Sequence, residues 1–427
     1  MFKVSWFQEL LPNEKIVEEK ILDIIKKSYK QVWFTQIETP AVERNMVLSA
    51  KWWWEVSKQI FWLYGLVQWC KDTKDYSLHF DLTVPFARYI LDHKNELTFP
   101  FKRSQIQKVW RWERAQKGRF REFYQADIDV IWDDKNSDNQ SKNVFYDAEV
   151  IFVIINTLKN IFSEFNLEKQ VFVNVNHKKI ITGFFEYLWL LEKLTSITIL
   201  IDKKDKISKE VFIEWLDKLE ISKEKIEQII NFTEWKLEDL ENIENKLLQS
   251  WIWELKEIIN YLKVLWVDVK VNLWIMRWLD YYTWIVFETF VDGERSLGSI
   301  ASWGRYEKLT HFIDPKTEFS GVGGSIWVSR LESYLLENIE ATEQTTTEYL
   351  LINFEETKQE ILKLYNKLLQ KWKKIEFYPE SVKLVKQFKY ADKKWISNCV
   401  ILWEEELKTW KYKIKNMKTW QVEENII

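Results

Sequence analysis

A chain of 427 residues has room for two or three domains and at least one large hydrophobic core. Its 62 basic and 65 acidic side chains leave a formal charge of −3, which excludes a globally cationic protein and leaves local patches to meet any polyanionic partner. Cys70 and Cys399 alone exclude a disulfide framework and point to a reducing compartment, while four scattered histidines lack zinc-site spacing, so no His or Cys is expected to hold a metal.

The first residues, MFKVSWFQELLPNEK, carry neither a cationic leader nor a sustained apolar run. Residues 8 to 32 have helical periodicity with Pro12 near the start, and the following FTQIETPAVE is strand-like. Residues 76 to 131 read as strand, helix and strand, interrupted by the highly charged RWERAQKGRFREF. A long amphipathic helix at about 146 to 163 leads into a strand at 170 to 176. Its apolar run VIFVII is far too short to cross a bilayer, so a cytoplasmic chain without a membrane partner is expected. From about 178 to 262 Lys, Glu and Ile dominate with helical spacing, and strand patterns resume only at VDVKVNL and VFETFVD, so this region reads as a helical insertion. The polar ENIEATEQTTTE reads as a linker. Beyond it YLLINF, a long helix, KIEFYP, another helix, NCVILW and a final hairpin make a compact α/β unit.

The chain holds 26 Trp and only 9 Gly, whereas ordinary usage at about 7% would supply roughly 30 glycines. The placement of the tryptophans is equally unusual. Trp33, Trp266, Trp372 and Trp395 each stand where an amphipathic helix passes into a strand, the slot after a helix that takes a left-handed residue and favours Gly. LKTWKYKIKNMKTWQVEE reads as alternating strand positions bounded by Thr-Trp pairs, where turn chemistry asks for Gly or Asn. Trp52, Trp53 and Trp54 in KWWWEVSK cannot all face one core from a helix or a strand. Trp110 is the position most compatible with a native indole.

Chemistry concentrates in VWRWERAQKGRFREFYQADIDV, where Arg111, Arg114, Lys117, Arg119 and Arg121 interleave with Glu113 and Phe123. Two strands joined by such a loop can gather guanidinium groups around phosphate oxygens, with Phe123 stacked on a base. Taken alone, however, a charge run of this kind is better read as a solvated hairpin. LGSIASWGRYEKL and FSGVGGSIWVSRLESYL add small-residue segments, the second a Gly-rich strand running into a helix that carries Arg330. Such strands allow close approach of a ligand, or simply tight packing.

Together these segments resemble the histidyl-tRNA synthetase family of class II aminoacyl-tRNA synthetases. FTQIETPAVE is similar to the dimer-forming motif 1, HFDLTVPFAR to the amino-acid-binding segment, VWRWERAQKGRFREFYQADIDV to motif 2 and GVGGSIWVSRLE to motif 3. GSIASWGRYEKL resembles a further segment of the histidine enzymes, and RWLDYYTW resembles their signature R-G-L-D-Y-Y-T-G, with Trp278 and Trp284 at its glycines. The resemblance implies an α+β fold: a class II catalytic domain with a mixed, mainly antiparallel sheet, a helical insertion and a C-terminal α/β anticodon-binding domain. The boundaries it implies are a catalytic core at 1–177 and 263–336, the insertion at 178–262, a linker at 337–347 and the anticodon-binding domain at 348–427.

The activity implied is histidine–tRNA ligation, with ATP and Mg²⁺ as cofactors, L-histidine and tRNA(His) as substrates, and a second copy of the chain as partner. Arg111 and Arg277 would meet the α-phosphate where negative charge builds. Glu113 would read the adenine amino group, Phe123 and Arg330 would sandwich the ring, and Arg119 would hold the terminal phosphates. Asp81, Thr83 and Gln125 match the residues that receive the α-ammonium group, and Asp129, Tyr281 and Tyr282 those around the imidazole. Gln116 and Lys117 would lie against the tRNA acceptor end.

Trp112, Trp132, Trp278, Trp284, Trp303 and Trp327 replace small residues of the family pattern while the polar positions stay intact. Random decay would strike Arg and Asp as readily, so the expectation is a UGA codon that encodes glycine, written here as Trp. An alternative from another class is a catalytically inactive, synthetase-like regulatory subunit that senses histidine. It is argued against by the C-terminal unit and by the joint presence of Arg111 and Arg277. A class II enzyme for proline or threonine is argued against by the LDYY segment.

Overall fold

The computed structural model describes residues 3–49, 58–64, 75–113, 118–133, 144–201, 207–232, 235–273, 275, 282–339, 345–371, 373–409 and 411–426. It divides into two compact units, Met1–Gln8 with Ile21–Asn338 and Glu9–Lys20 with Ile339–Ile427.

The first unit is built on an eight-stranded sheet. Numbered along the chain, its order is β1 (Thr35–Gln36), β4 (Phe101–Trp110), β5 (Glu122–Asp133), β10 (Phe319–Trp327), β9 (Ala301–Tyr306), β8 (Tyr282–Val291), β6 (Val171–His177) and β7 (Val269–Val271). Pairing is antiparallel through the centre and parallel only at the edges, β1 with β4 and β6 with β7. A ribbon of β2 (Val42–Arg44) and β3 (Tyr76–Leu78) precedes the helix Thr83–His93. The strand-like FTQIETPAVE thus forms two short pieces, broken around Pro40, which has no N–H to give a ladder.

β5 explains how this sheet carries a site. Ala126, Ile128 and Val130 alternate with Gln125, Asp127 and Asp129, and all six are buried. Successive strand residues point to opposite faces, so one face is apolar and the other polar, yet both are covered. The helix Phe145–Glu164 covers the apolar face: a Cβ on Gly324 of β10 would come within 2.2 Å of Ile154 in that helix. On the other face a Cβ on Gly323 would come within 2.0 Å of the Asp129 carboxylate, so the glycine lets the side chain lie flat on the sheet. Phe86, Ala87 and Ile90 of the helix Thr83–His93 pack with Ile131, Tyr282, Tyr306 and Phe319 as a core cluster.

Residues 178 to 262 are predominantly helical, as their spacing predicts, with helices at Lys178–Tyr187, Leu194–Ile201, Lys209–Asp217, Lys223–Phe232 and Lys246–Val264. The last starts on Asn245, whose side chain accepts from Leu248 N at 3.0 Å, and it buries Leu248, Ile252, Leu255, Ile258 and Leu262 along one stripe.

The second unit holds a five-stranded sheet in the order β12 (Ile375–Phe377), β11 (Tyr349–Leu351), β13 (Asn398–Ile401), β14 (Lys411–Asn416) and β15 (Val422–Ile426). The first three strands are parallel and the rest antiparallel. Leu350 and Cys399 pack on one face with Ala391 of the helix Leu384–Lys393, and Leu351 and Val400 on the other with Ile361 and Leu364 of the helix Lys358–Gln370. The final hairpin begins after the first Thr-Trp pair, as its alternating pattern predicts, and a short helix that the sequence did not announce, Glu404–Thr409, stands ahead of it. The reason is local: Glu406 accepts from Trp403 N at 3.0 Å, half of a capping box, and three glutamates favour the positive end of the helix.

Four helices end alike. Trp33, Trp189, Trp266 and Trp395 have φ of 64°, 57°, 59° and 59°. In each case the following residue donates to the carbonyl five positions back, as in Val267 N to Leu262 O at 2.9 Å, and the Trp itself donates three back. These paired bonds define a Schellman end, whose left-handed residue is usually Gly. Trp372, Trp52, Trp53 and Trp54 lie outside the described residues.

Candidate active site

Two pockets meet at Arg111, the first residue after β4. Its Nε donates to Phe80 O and its Nη2 to Gln125 Oε1, both at 3.1 Å. The guanidinium lies 4.4 Å over the Phe80 ring and 5.2 Å from the Phe123 ring. Glu113 sits between two cations, 3.7 Å from Arg111 and paired with Arg119. With Gly118, Phe120, Trp327 and Arg330 these residues line a cleft that leaves only about 20 Å³ of open space. Gly118 has φ of 69°, and a Cβ there would lie 3.4 Å from Arg330 Cγ. Arg330 is anchored on Ser299 O at 2.5 Å and stacks 4.2 Å over the Trp327 indole. Guanidinium groups around aromatic rings suit a phosphorylated, planar ligand.

The second pocket is polar and buried. Asp81 and Thr83 are buried at the start of the helix Thr83–His93, where Asp81 Oδ1 accepts from Val84 N at 3.1 Å. Thr83 Oγ1 has no hydrogen-bond partner among the described residues, the kind of orphan that a ligand satisfies. Gln125 Nε2 donates to Asp127 Oδ1 and Ser325 Oγ, each at 3.3 Å. Asp129 accepts from Tyr306 OH at 2.9 Å and lies 2.8 Å from Arg103 Nη2. Burial pushes the Asp127 carboxyl up to about 6 and that of Asp129 up to about 7, against the downward pull of Arg103. An amino acid with a polar ring fits this set of acceptors.

A family model described as histidyl-tRNA synthetase matches residues 6–331, and one described as an anticodon binding domain matches residues 348–426. The chain belongs to the histidyl-tRNA synthetase family. A histidine–tRNA ligase of Clostridium tetani is 37% identical over 430 residues, covering 97% of this chain and 93% of the relative. That of Clostridium acetobutylicum is 38% identical over 429 residues, covering 97% and 95%. The crystal structure of histidyl-tRNA synthetase from Nostoc sp. PCC 7120 superposes with a TM-score of 0.85 at 33% identity, over 100% of this chain and 97% of that one. A Bacillus halodurans structure titled ATP phosphoribosyltransferase regulatory subunit/histidyl-tRNA synthetase shares the fold, with a TM-score of 0.73 at 19% identity over 92% and 96%. The large mixed sheet and the C-terminal unit are those of a class II synthetase.

Within that family frame, Arg111, Glu113, Arg119, Phe123 and Arg330 share the first pocket, and Asp81, Gln125 and Asp129 surround the second. Tyr282 is buried in register with Tyr306 on β9. Arg277, Tyr281, Gln116 and Lys117 lie outside the described residues. Three residues of the polar pocket escaped the sequence reading: Arg103, Asp127 and Tyr306. Asp127 had a signal, because it lies between Gln125 and Asp129 on the period of two. Arg103 is paired with Asp129 only by the β4–β5 register, and Tyr306 only by its reach across the sheet.

Proposed function

We propose that the chain is a histidine–tRNA ligase that works in the cytoplasm as a homodimer. Arg111 carries the reading, because one side chain lines the cation-and-ring cleft while hydrogen-bonding into the carboxylate pocket. That is where an amino acid's carboxylate must meet a nucleotide's α-phosphate. The carboxylate oxygen of L-histidine attacks the α-phosphorus of ATP, the bond to the β-phosphate oxygen breaks, and pyrophosphate leaves. Arg111, joined by Arg277, stabilises the charge that builds on phosphorus, so catalysis here is positioning and electrostatics. Glu113 reads the adenine amino group, Phe123 and Arg330 hold the ring, and Arg119 meets the terminal phosphates. Mg²⁺ bound with ATP would neutralise charge on the phosphates beside Arg119.

Asp81, Thr83 and Gln125 receive the α-ammonium group, and Asp129 with Tyr281 and Tyr282 receives the imidazole. A terminal ribose hydroxyl of tRNA(His) then attacks the histidyl carbonyl and AMP leaves, with Gln116 and Lys117 against the acceptor end. Residues 1–177 and 263–336 form the catalytic core in this reading. The insertion is 178–262, the linker 337–347, and the anticodon arm is gripped by 348–427. The test is ATP–pyrophosphate exchange: histidine should support it and proline and threonine should not. Exchange with all three, or with none, overturns the assignment, and none with retained histidine binding would favour the regulatory reading.

We also infer that most of the 26 tryptophans stand where the source organism inserts glycine at UGA. Among the described residues nine non-glycines have positive φ, and six are Trp: Trp6, Trp33, Trp189, Trp266, Trp395 and Trp420. Trp33, Trp189 and Trp266 are 86%, 88% and 89% exposed, so no core accounts for the indoles. Trp132 and Trp284 bury indole N–H groups that have no hydrogen-bond partner among the described residues. Reading the gene decides the matter: TGA at most of these positions is expected, and TGG throughout overturns the inference.

A further inference from the structure

We propose that Arg103 is a positioning residue for substrate selection, fixing both the direction and the charge of Asp129 where the imidazole is read. The proposal rests on the reading of Asp129 as an imidazole acceptor and adds a residue that lies outside the segments resembling the family's motifs.

Arg103 faces Asp129 directly across the β4–β5 ladder and is itself fully buried. Its Nη2 lies 2.8 Å from Asp129 Oδ2 and 3.7 Å from Asp127 Oδ2, while Nη1 donates to Gln105 Oε1 at 2.8 Å. The guanidinium carbon lies 4.3 Å from the centre of the Phe86 ring, which fixes the fork over an aromatic face. Tyr306 OH holds the other Asp129 oxygen, and Gly323 leaves the space in which the carboxylate lies. Asp129 thus accepts a hydrogen bond on one oxygen and has an ion-pair partner on the other.

The charge argument is independent of the geometry. Two buried carboxylates on alternate residues of one strand repel each other, which favours uptake of a proton by one of them. A protonated Asp129 would donate as well as accept, and would no longer distinguish a ring N–H from a ring acceptor. The groups facing Asp129 are Arg103 on β4, Asp127 on its own strand, Tyr306 on β9, Tyr29 on the helix Pro12–Gln31 and Asp81 ahead of the helix Thr83–His93. Of these, Arg103 alone carries a positive charge. It pulls against the rise that burial causes and so favours the acceptor form of Asp129.

The test uses the full chain in ATP–pyrophosphate exchange from about pH 6 to 9, reading KM for histidine, KM for ATP and kcat separately. Arg103→Met should raise KM for histidine by roughly tenfold or more at neutral pH, spare KM for ATP, and move the fall of histidine KM with pH to higher pH. Equal loss towards both substrates with an unmoved pH profile would make Arg103 a purely structural residue and overturn the proposal. Arg103→Lys keeps the charge and loses the fork, so histidine KM should rise severalfold on the parent's pH profile. An unchanged KM in this variant overturns the proposal even if Arg103→Met does not fold. Asp129→Asn separates the two levels. If it leaves histidine KM untouched, the imidazole reading of Asp129 fails; if it raises KM while both Arg103 variants do not, only the role of Arg103 fails.

Discussion

The guanidinium of Arg330 lies 4.2 Å over the indole of Trp327, and both side chains line a cleft with about 20 Å³ of open space. An adenine held against Arg330 and this indole compete for one cation face. Trp327→Gly should therefore lower KM for ATP, by roughly tenfold or more if stacking on Arg330 is the main anchor of the ring. Steady-state exchange kinetics with varied ATP measure it, and an unchanged KM would show that the indole is compatible with nucleotide binding.

Helix ends offer a stability test free of any ligand. Trp33→Gly, Trp189→Gly and Trp266→Gly should each raise the urea midpoint, by a stability on the order of 1 to 3 kcal/mol per site, because a left-handed backbone strains a residue with a side chain. Trp110→Gly is the counter-case. Its ring lies 5.4 Å from that of His79 on a regular strand, so removing it should lower the midpoint.

Arg111→Ala should slow histidyl-adenylate formation by about 10²-fold or more, the scale for losing a preorganised charge at the reacting centre. Single-turnover measurement isolates that step. A rise in KM for histidine with no change in the step itself would assign Arg111 to binding alone.

Asp127 and Asp129 give the ligand-free chain a pH dependence with a definite sign. Both carboxyls are raised in the folded chain, to about 6 and about 7, above the roughly 3.9 of an unfolded Asp. Their stabilising contribution is complete below about pH 4 and is lost as pH rises through 6 and 7. Against an Asp129→Asn variant, the parent should lose thermal stability between about pH 4 and 7. Melting curves across that range check it; a difference that stays constant with pH would mean that Asp129 does not titrate there.

The sheet scaffold was legible where periodicity is strong. β5 shows its alternation in plain letters, and the long helix Phe145–Glu164 its apolar stripe. The first pocket was legible too, because Arg111, Glu113, Arg119 and Phe123 fall in one short segment and Arg330 in a second. What stayed hidden depends on pairing between distant segments. Arg103 is an ordinary strand residue until β4 and β5 come into register, and Tyr306 meets Asp129 from 177 residues away. The helix Glu404–Thr409 was hidden for another reason: six residues are too few to show helical periodicity, and only its capping glutamate marks it.

The double-sided burial of β5 also bears on how faithfully the chain must fold. A slip of one residue between β5 and β10 would turn Gln125, Asp127 and Asp129 into the hydrocarbon layer beneath the helix Phe145–Glu164 and turn Ile128 and Val130 towards the polar face. Two carboxylates without Arg103 in that layer would be intolerable. The charges proposed to select the amino acid therefore also fix the register of the sheet.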